Sequence, residues 1–159
     1  MDIRIASALG RLVATALFVG LASLHLTAAQ AAATISQGFY QESSLKNCAN
    51  ASFCTITFSA IPAGKTVIVQ NVGCIMQINT TNPLLSLTLS SKLGNVSTQR
   101  TNYLLPTLMG TVGGTRNFNS NNTVLDIMNA GEIPQIQISL SGAASVFIGN
   151  CSISGQIKP

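Results

Sequence analysis

The chain has 159 residues, of which 47% are hydrophobic and only 8% are charged, with eight Lys and Arg against four Asp and Glu. It contains one histidine, His25, and no tryptophan. Because His25 lies in a predicted signal peptide, the rest of the chain has few side chains suited to acid–base or nucleophilic chemistry at neutral pH, and this composition argues against an enzyme.

Residues 1–33 have the pattern of a secretory signal peptide. Arg4 and Arg11 provide the positive end, residues 12–26 are mostly apolar, and the run of alanines up to Ala33 suits cleavage. An uncleaved N-terminal anchor is the alternative, since the apolar stretch and its uncharged flank nearly reach the length of a membrane span. Cleavage leaves 126 residues (159 − 33), enough for one domain, with no later segment able to span a membrane.

The charges that remain after cleavage are few and dispersed. Six cations and three acids give a net charge of +3 (6 − 3). The cations form no basic face with interleaved aromatic residues, so no nucleic-acid partner is expected. The cysteines lack the spacing of a zinc site, and neither a metal nor a cofactor is expected.

The strands follow in order along the chain. Residues 34–52 are polar and are expected to form an extended lead-in with one short strand near Phe39 and Tyr40. Residues 53–159 are expected to form the β domain. Alternating apolar and polar residues predict its strands, which are 53–58, 66–80, 85–90, 96–105, 123–128, 135–140 and 147–157. Residues 109–122 are expected to be a long glycine-rich loop with a short strand near Phe118.

Two features refine this prediction. Within residues 66–80, Val67 and Val69 have the opposite parity to Val72 and Cys74, which predicts a β-bulge near residues 71–73. Seven to nine strands with turn signals at short intervals, and no helical period, predict an all-β antiparallel sandwich.

All four cysteines lie in the exported part, where an even number predicts two disulfides. Four cysteines allow three pairings. Cys54, Cys74 and Cys151 fall on apolar faces of predicted strands, whereas Cys48 lies in the loop before the first clear strand. The preferred pairing is therefore Cys48–Cys54, which fastens that loop, and Cys74–Cys151, which ties an early strand to the last one.

Few residues are candidates for chemistry or binding. Asp126 and Glu132 are the only acids close in sequence, and a hydrolase acting on glycosides would need two facing carboxylates. A strand-edge residue and a turn residue are the plainer interpretation of this pair. The candidate ligand contacts are three aromatic side chains and one cation beside a glycine-rich loop, namely Tyr40, Tyr103, Phe118 and Arg116.

The run Ile-Pro-Ala-Gly-Lys-Thr-Val-Ile-Val-Gln-Asn-Val-Gly-Cys at residues 61–74, together with Cys-Ser-Ile-Ser-Gly at residues 151–155, resembles a group of small exported bacterial proteins of uncharacterised activity. The resemblance covers about a fifth of the chain after cleavage. It implies a jelly-roll-like sandwich and export, and it favours the Cys74–Cys151 pairing. It implies no catalytic residue.

Three functional hypotheses follow. The first is a periplasmic or extracellular, non-catalytic β-sandwich protein that binds a partner outside the cytoplasm, such as a glycan or an envelope surface. The second is a structural subunit of a fimbria-like surface assembly, in which an incomplete sandwich would receive a donated strand. The third is a hydrolase that uses Asp126 and Glu132.

Overall fold

The structure is a computed structural model, and it describes residues 32–79 and 82–159. The predicted signal peptide, residues 1–33, lies outside the described residues except for its last two. Within the described ranges, no helix has the length and hydropathy needed to cross a membrane.

In the described ranges, ten strands form two antiparallel sheets, which confirms the all-β class, although the strands exceed the predicted seven to nine. The six-stranded sheet has the order β1-β2-β10-β4-β8-β7, and the four-stranded sheet has the order β3-β9-β5-β6. The strands are β1 (Thr34–Ser36), β2 (Phe39–Asn47), β3 (Ala51–Thr57), β4 (Thr66–Ile78), β5 (Leu84–Leu93), β6 (Val96–Tyr103), β7 (Thr107–Val112), β8 (Thr115–Asn129), β9 (Glu132–Ala144) and β10 (Phe147–Lys158).

The core lies between the sheets and follows directly from the alternation of the sequence. On β9, Ile136, Ile138 and Leu140 are buried, while the intervening glutamine and serine side chains face outward. Inward side chains of both sheets join in one apolar cluster. Since one face of each sheet is buried in this way, a shift of one residue in register would expose the whole apolar set.

The predicted bulge in the long strand is present, slightly earlier in the chain. The register of β4 shifts against both β8 and β10 between Val69 and Asn71. Val67 and Val69 are buried before the shift, and Val72 is buried after it. The irregularity thus turns both halves of β4 toward the core, although their sequence parities differ.

Residues 34–52 are not an extended lead-in. They contain β1, all of β2 and the first two residues of β3, and the predicted short strand near Phe39 and Tyr40 is the start of the longer β2. β2 lies inside the six-stranded sheet between β1 and β10. The inward positions of β2 are Tyr40, Glu42 and Ser44. Because two of these three side chains are polar, the strand lacks the apolar period by which the other strands are predicted.

The predicted loop at residues 109–122 is also strand. β7 and β8 form a hairpin whose turn residues, Gly113 and Gly114, have φ of 57° and 77°. Two consecutive residues with positive φ match the right-handed twist of the flanking strands, and glycine adopts them without steric cost. Ser120 and Asn122 occupy inward-facing positions of β8. Because both are polar, this part of the strand shows no alternation of apolar and polar residues in the sequence.

The disulfides are Cys48–Cys54 and Cys74–Cys151, the preferred pairing. Cys74 and Cys151 are directly opposite residues of neighbouring strands β4 and β10. Cys48–Cys54 joins the segment after β2 to β3, and so connects the two sheets at one end. Two disulfides indicate an oxidising environment outside the cytoplasm.

Candidate functional site

The predicted carboxylate pair lies inside the sandwich. Asp126 on β8 is 4% exposed and Glu132 at the start of β9 is 7% exposed. Arg100 on β6 forms ion pairs with both, through its Nε at 3.8 Å from Asp126 Oδ1 and through a terminal nitrogen to Glu132. Asn102 Nδ2 donates a hydrogen bond of 2.9 Å to Asp126, and Ser91 Oγ donates one of 3.3 Å to Glu132. Each carboxylate is therefore already held by two side chains.

Burial has the largest effect on the pKa of Asp126, and it raises that pKa. The Arg100 guanidinium acts in the opposite direction, and the Glu132 carboxylate raises the pKa further. Glycoside hydrolysis needs a sugar, and in inverting enzymes also a water, between two carboxyl groups. Here the guanidinium contacts both carboxylates instead. The cluster connects edge strand β6 of one sheet to β8 of the other, which is a structural role.

Tyr40 is a core residue and is not available to a ligand. Its side chain is 1% exposed, and its hydroxyl donates a hydrogen bond of 2.6 Å to Glu42 Oε2. The other carboxylate oxygen of Glu42 accepts from the backbone N–H and the hydroxyl of Ser59, both at 2.9 Å. Burial, with the neighbouring carboxylate, raises the pKa of Tyr40 well above its ordinary value.

Phe118 and Arg116 lie together, but both side chains make contacts within the protein. Phe118 is buried, and the Arg116 guanidinium carbon lies 5.7 Å from the centre of its ring. Arg116 also donates a hydrogen bond to the carbonyl oxygen of Asn82. The cation covers the ring in a cation–π contact, so this ring has no open face for stacking on a ligand.

Tyr103 is the predicted contact that the structure leaves open, since it is 77% exposed at the end of β6. It lies on the outer side of the four-stranded sheet. There it ends a row of directly opposite residues, one from each strand, that runs Thr55, Gln137, Thr88, Tyr103. Phe53 on β3 is 50% exposed and faces the same way. Sequence reasoning missed Phe53, although the inward parity of its neighbour Cys54 predicts that it points outward.

We call this surface the four-stranded face. It comprises the outward side chains of three successive rows across the sheet, namely Thr57, Gln135, Ser90 and Thr101; Thr55, Gln137, Thr88 and Tyr103; and Phe53, Ser139 and Ser86. None of these side chains is charged, and two of them, Thr88 and Ser90 on β5, are buried. Lys92, in the next row, is the nearest cation along β5.

A groove of about 270 Å³ adjoins Tyr103. Its walls are mostly apolar, and Leu85, Leu105 and Pro106 line it together with Ser86 and Tyr103. Small-molecule sites have volumes of about 300 Å³ and more, so the groove has room for one ring-sized group rather than for a large ligand. Of the four-stranded face, Tyr103 and Ser86 line this groove.

The outer side of the six-stranded sheet carries a second depression, of about 400 Å³, above Gly73. The glycine leaves a gap between longer neighbours on the adjoining strands. Ser43, Asn121, Asn150 and Ser152 are among the residues that line it. This surface is polar and uncharged like the four-stranded face, but no aromatic ring lines the depression.

No protein-family model, curated protein or solved structure matches this chain. The resemblance to small exported bacterial proteins therefore stays a prediction.

Proposed function

We propose that this protein is an exported, non-catalytic binding protein that recognises a neutral glycan through the four-stranded face. The observation that carries the proposal is the exposed Tyr103 ring, which lies beside the groove and at the end of a row of hydroxyl and amide side chains.

The chemistry of this face suits a sugar. One side of a pyranose ring presents C–H groups that stack on an aromatic ring, and its hydroxyls both donate and accept hydrogen bonds. Tyr103 supplies the ring, while Gln137, which is half-buried, and Ser86, which lines the groove, supply groups that also donate and accept. Because no charged side chain belongs to the three rows, the face offers no ion pair to an anionic glycan. A neutral polysaccharide is therefore the expected ligand class.

Affinity electrophoresis in gels containing neutral polysaccharides tests the proposal. The panel comprises an α-glucan, a β-glucan, a mannan and a galactan, with a polyuronic acid as the anionic probe. We expect retardation by at least one neutral polymer. Tyr103→Ala should weaken that binding about tenfold, which corresponds to about 1.4 kcal/mol. Tyr103→Phe should bind nearly as wild type does, since the ring is kept.

Phe39→Ala is the matched control, because Phe39 is also an exposed aromatic residue but lies on β2 of the other sheet. Its binding should equal that of wild type. If no polymer retards the protein, or if Tyr103→Ala and Phe39→Ala behave alike, the assignment to the four-stranded face fails.

Export and the absence of catalysis are separate parts of the proposal. The absence of catalysis is supported by Asp126 and Glu132, whose carboxylates are ion-paired with Arg100. Incubation with the bound polysaccharide should therefore release no new reducing ends.

Export is tested by the intact mass of the protein. The mass should lack residues 1–33 and should be four hydrogens lighter than that of the fully reduced chain, because two disulfides are present. A mass that includes Met1 would contradict cleavage.

A further inference from the structure

A third concave site, of about 400 Å³, opens at one end of the sandwich. It lies where the turn between β1 and β2, the loop between β3 and β4 and the end of β10 come together. We call it the lysine groove, because Lys65 and Lys158 are among the residues that line it. Its volume is within the range of small-molecule sites, and it shares no residue with the groove beside Tyr103.

Backbone hydrogen bonds hold the walls of the lysine groove in place. The Ile157 N–H donates one of 2.8 Å to the carbonyl oxygen of Gly38, which joins the end of β10 to the turn after β1. In the loop before β4, the Lys65 N–H donates one of 3.1 Å to the carbonyl oxygen of Pro62. The preceding Ile61 is buried, and its N–H donates one of 2.8 Å to the start of β9. The groove is therefore largely formed before a ligand enters, which lowers the entropic cost of binding.

The lining combines apolar surface with positive charge. Ile35, Pro62 and Ile157 provide most of the apolar wall. Lys65 and Lys158 are both exposed, and each carries an ammonium group on a long, rotatable stem. An apolar wall beside two cations is complementary to a molecule that has an apolar body and a negative group.

No acidic side chain lines the lysine groove. In residues 32–79 and 82–159, the acids are Glu42, Asp126 and Glu132, and each is buried and bonded to other side chains. If the chain ends at Pro159, its α-carboxylate lies beside the lysines and cancels one of their two charges. The groove is positive in either case.

We propose that the lysine groove binds a small amphipathic anion. Its apolar body would pack against Ile35, Pro62 and Ile157, and its negative group would lie at the two lysines. A carboxylate or a phosphate monoester suits them equally, since an ammonium group acts as a point charge. The expected ligand is a free molecule rather than a bilayer, because the site is a concave groove with room for one small molecule.

Titration of ¹⁵N-labelled protein with octanoate, followed by NMR of the backbone amides, tests the proposal. The signals of Gly38, Lys65 and Ile157 should shift in a saturable manner. Acetate, which lacks the apolar chain, should bind more than about tenfold more weakly, since burial of about two methylene groups already accounts for that factor. Octanol, which lacks the charge, should bind more weakly than octanoate, and only octanoate binding should weaken with added salt.

Substitution of the lysines separates charge from apolar contact. Lys65→Met should weaken octanoate binding about threefold, and Lys65→Met/Lys158→Met about tenfold, while octanol binding stays as in wild type. Lys46→Met is the matched control, because Lys46 is also exposed but lies near the other end of β2 from Gly38. It should bind octanoate as wild type does. Ile35→Asp, which places a negative charge in the groove, should abolish octanoate binding.

This inference goes beyond glycan binding and fails independently of it, since Tyr103→Ala should leave octanoate binding unchanged. Several results would overturn it: no saturable shift with octanoate, shifts centred on residues away from the groove, or octanol binding as tight as octanoate binding. Equal effects of Lys65→Met and Lys46→Met, or binding to phosphatidylglycerol vesicles without binding of octanoate, would do the same.

Discussion

Removing the long-range disulfide should destabilise the protein more than removing the local one. Cys74–Cys151 closes a loop with a sequence separation of 77, and Cys48–Cys54 closes one with a separation of 6. The loss of loop-closure entropy in the unfolded chain corresponds to about 4.5 kcal/mol for the first and about 2 kcal/mol for the second. For a chain of about 126 residues, these free energies correspond to decreases in Tm of roughly 15 °C and roughly 8 °C.

The measurement is urea-induced unfolding of two paired variants, Cys74→Ala/Cys151→Ala and Cys48→Ala/Cys54→Ala, against wild type without reductant. Alanine also removes two buried sulfur atoms from the core in the first variant and one in the second, which acts in the same direction. The free energy of unfolding should therefore differ between the variants by about 2 kcal/mol or more. A local-bridge variant as unstable as the long-range one would refute the loop-closure reasoning.

Three further predictions test the interior. Gly155→Ala should destabilise the fold by about 3 kcal/mol in urea, since its Cβ would overlap the backbone carbonyl of Ile68. Gly73→Ala should change little, since the nearest atom to its Cβ would be the rotatable Ser152 hydroxyl at 3.2 Å, and the Ser120 carbonyl oxygen would lie at 3.9 Å. Because burial raises the folded-state pKa of Asp126, its contribution to stability is present at low pH and is lost as pH rises from about 4 through the folded pKa. Asp126→Asn should therefore flatten the dependence of unfolding free energy on pH above 4, and an unchanged slope would contradict the argument. Tyr40→Phe removes the donor to a buried carboxylate and should cost about 1 kcal/mol; a variant as stable as wild type would show that this hydrogen bond contributes nothing net.

The sequence predicts strands well wherever the inward positions are apolar. Apolar and polar residues alternate regularly in β5 and β9. Even the change of parity in β4 can be recognised in the sequence, because valines lie on both sides of it. β2 and the first half of β8 are not predictable in the same way. Their inward side chains include Glu42 and Ser120, which look solvent-exposed until distant partners satisfy them. The carboxylate of Glu42, for example, is acceptable inside because the Tyr40 hydroxyl donates to it and because Ser59, seventeen residues later, donates to it twice.

The candidate site is less predictable than the fold. A tyrosine can lie in a core if its hydroxyl has a hydrogen-bond partner, and it can equally lie on a surface. The sequence therefore does not show that Tyr40 is buried and Tyr103 is exposed. Asp126 and Glu132 are close in sequence, but their shared partner, Arg100, comes from a different strand. Phe53 is the exception, since strand parity alone places it outside.

The position of β10 has a consequence for the order in which the molecule is built. This last strand lies inside the six-stranded sheet, with β2 on one side and β4 on the other. Until it is present, β2 and β4 lack the strand that pairs with both of them, and Cys74 lacks its native disulfide partner, Cys151. If the protein is exported N-terminus first, as proposed above, this sheet cannot close until β10 has passed through the pore. Formation of the sandwich would then follow the passage of β10.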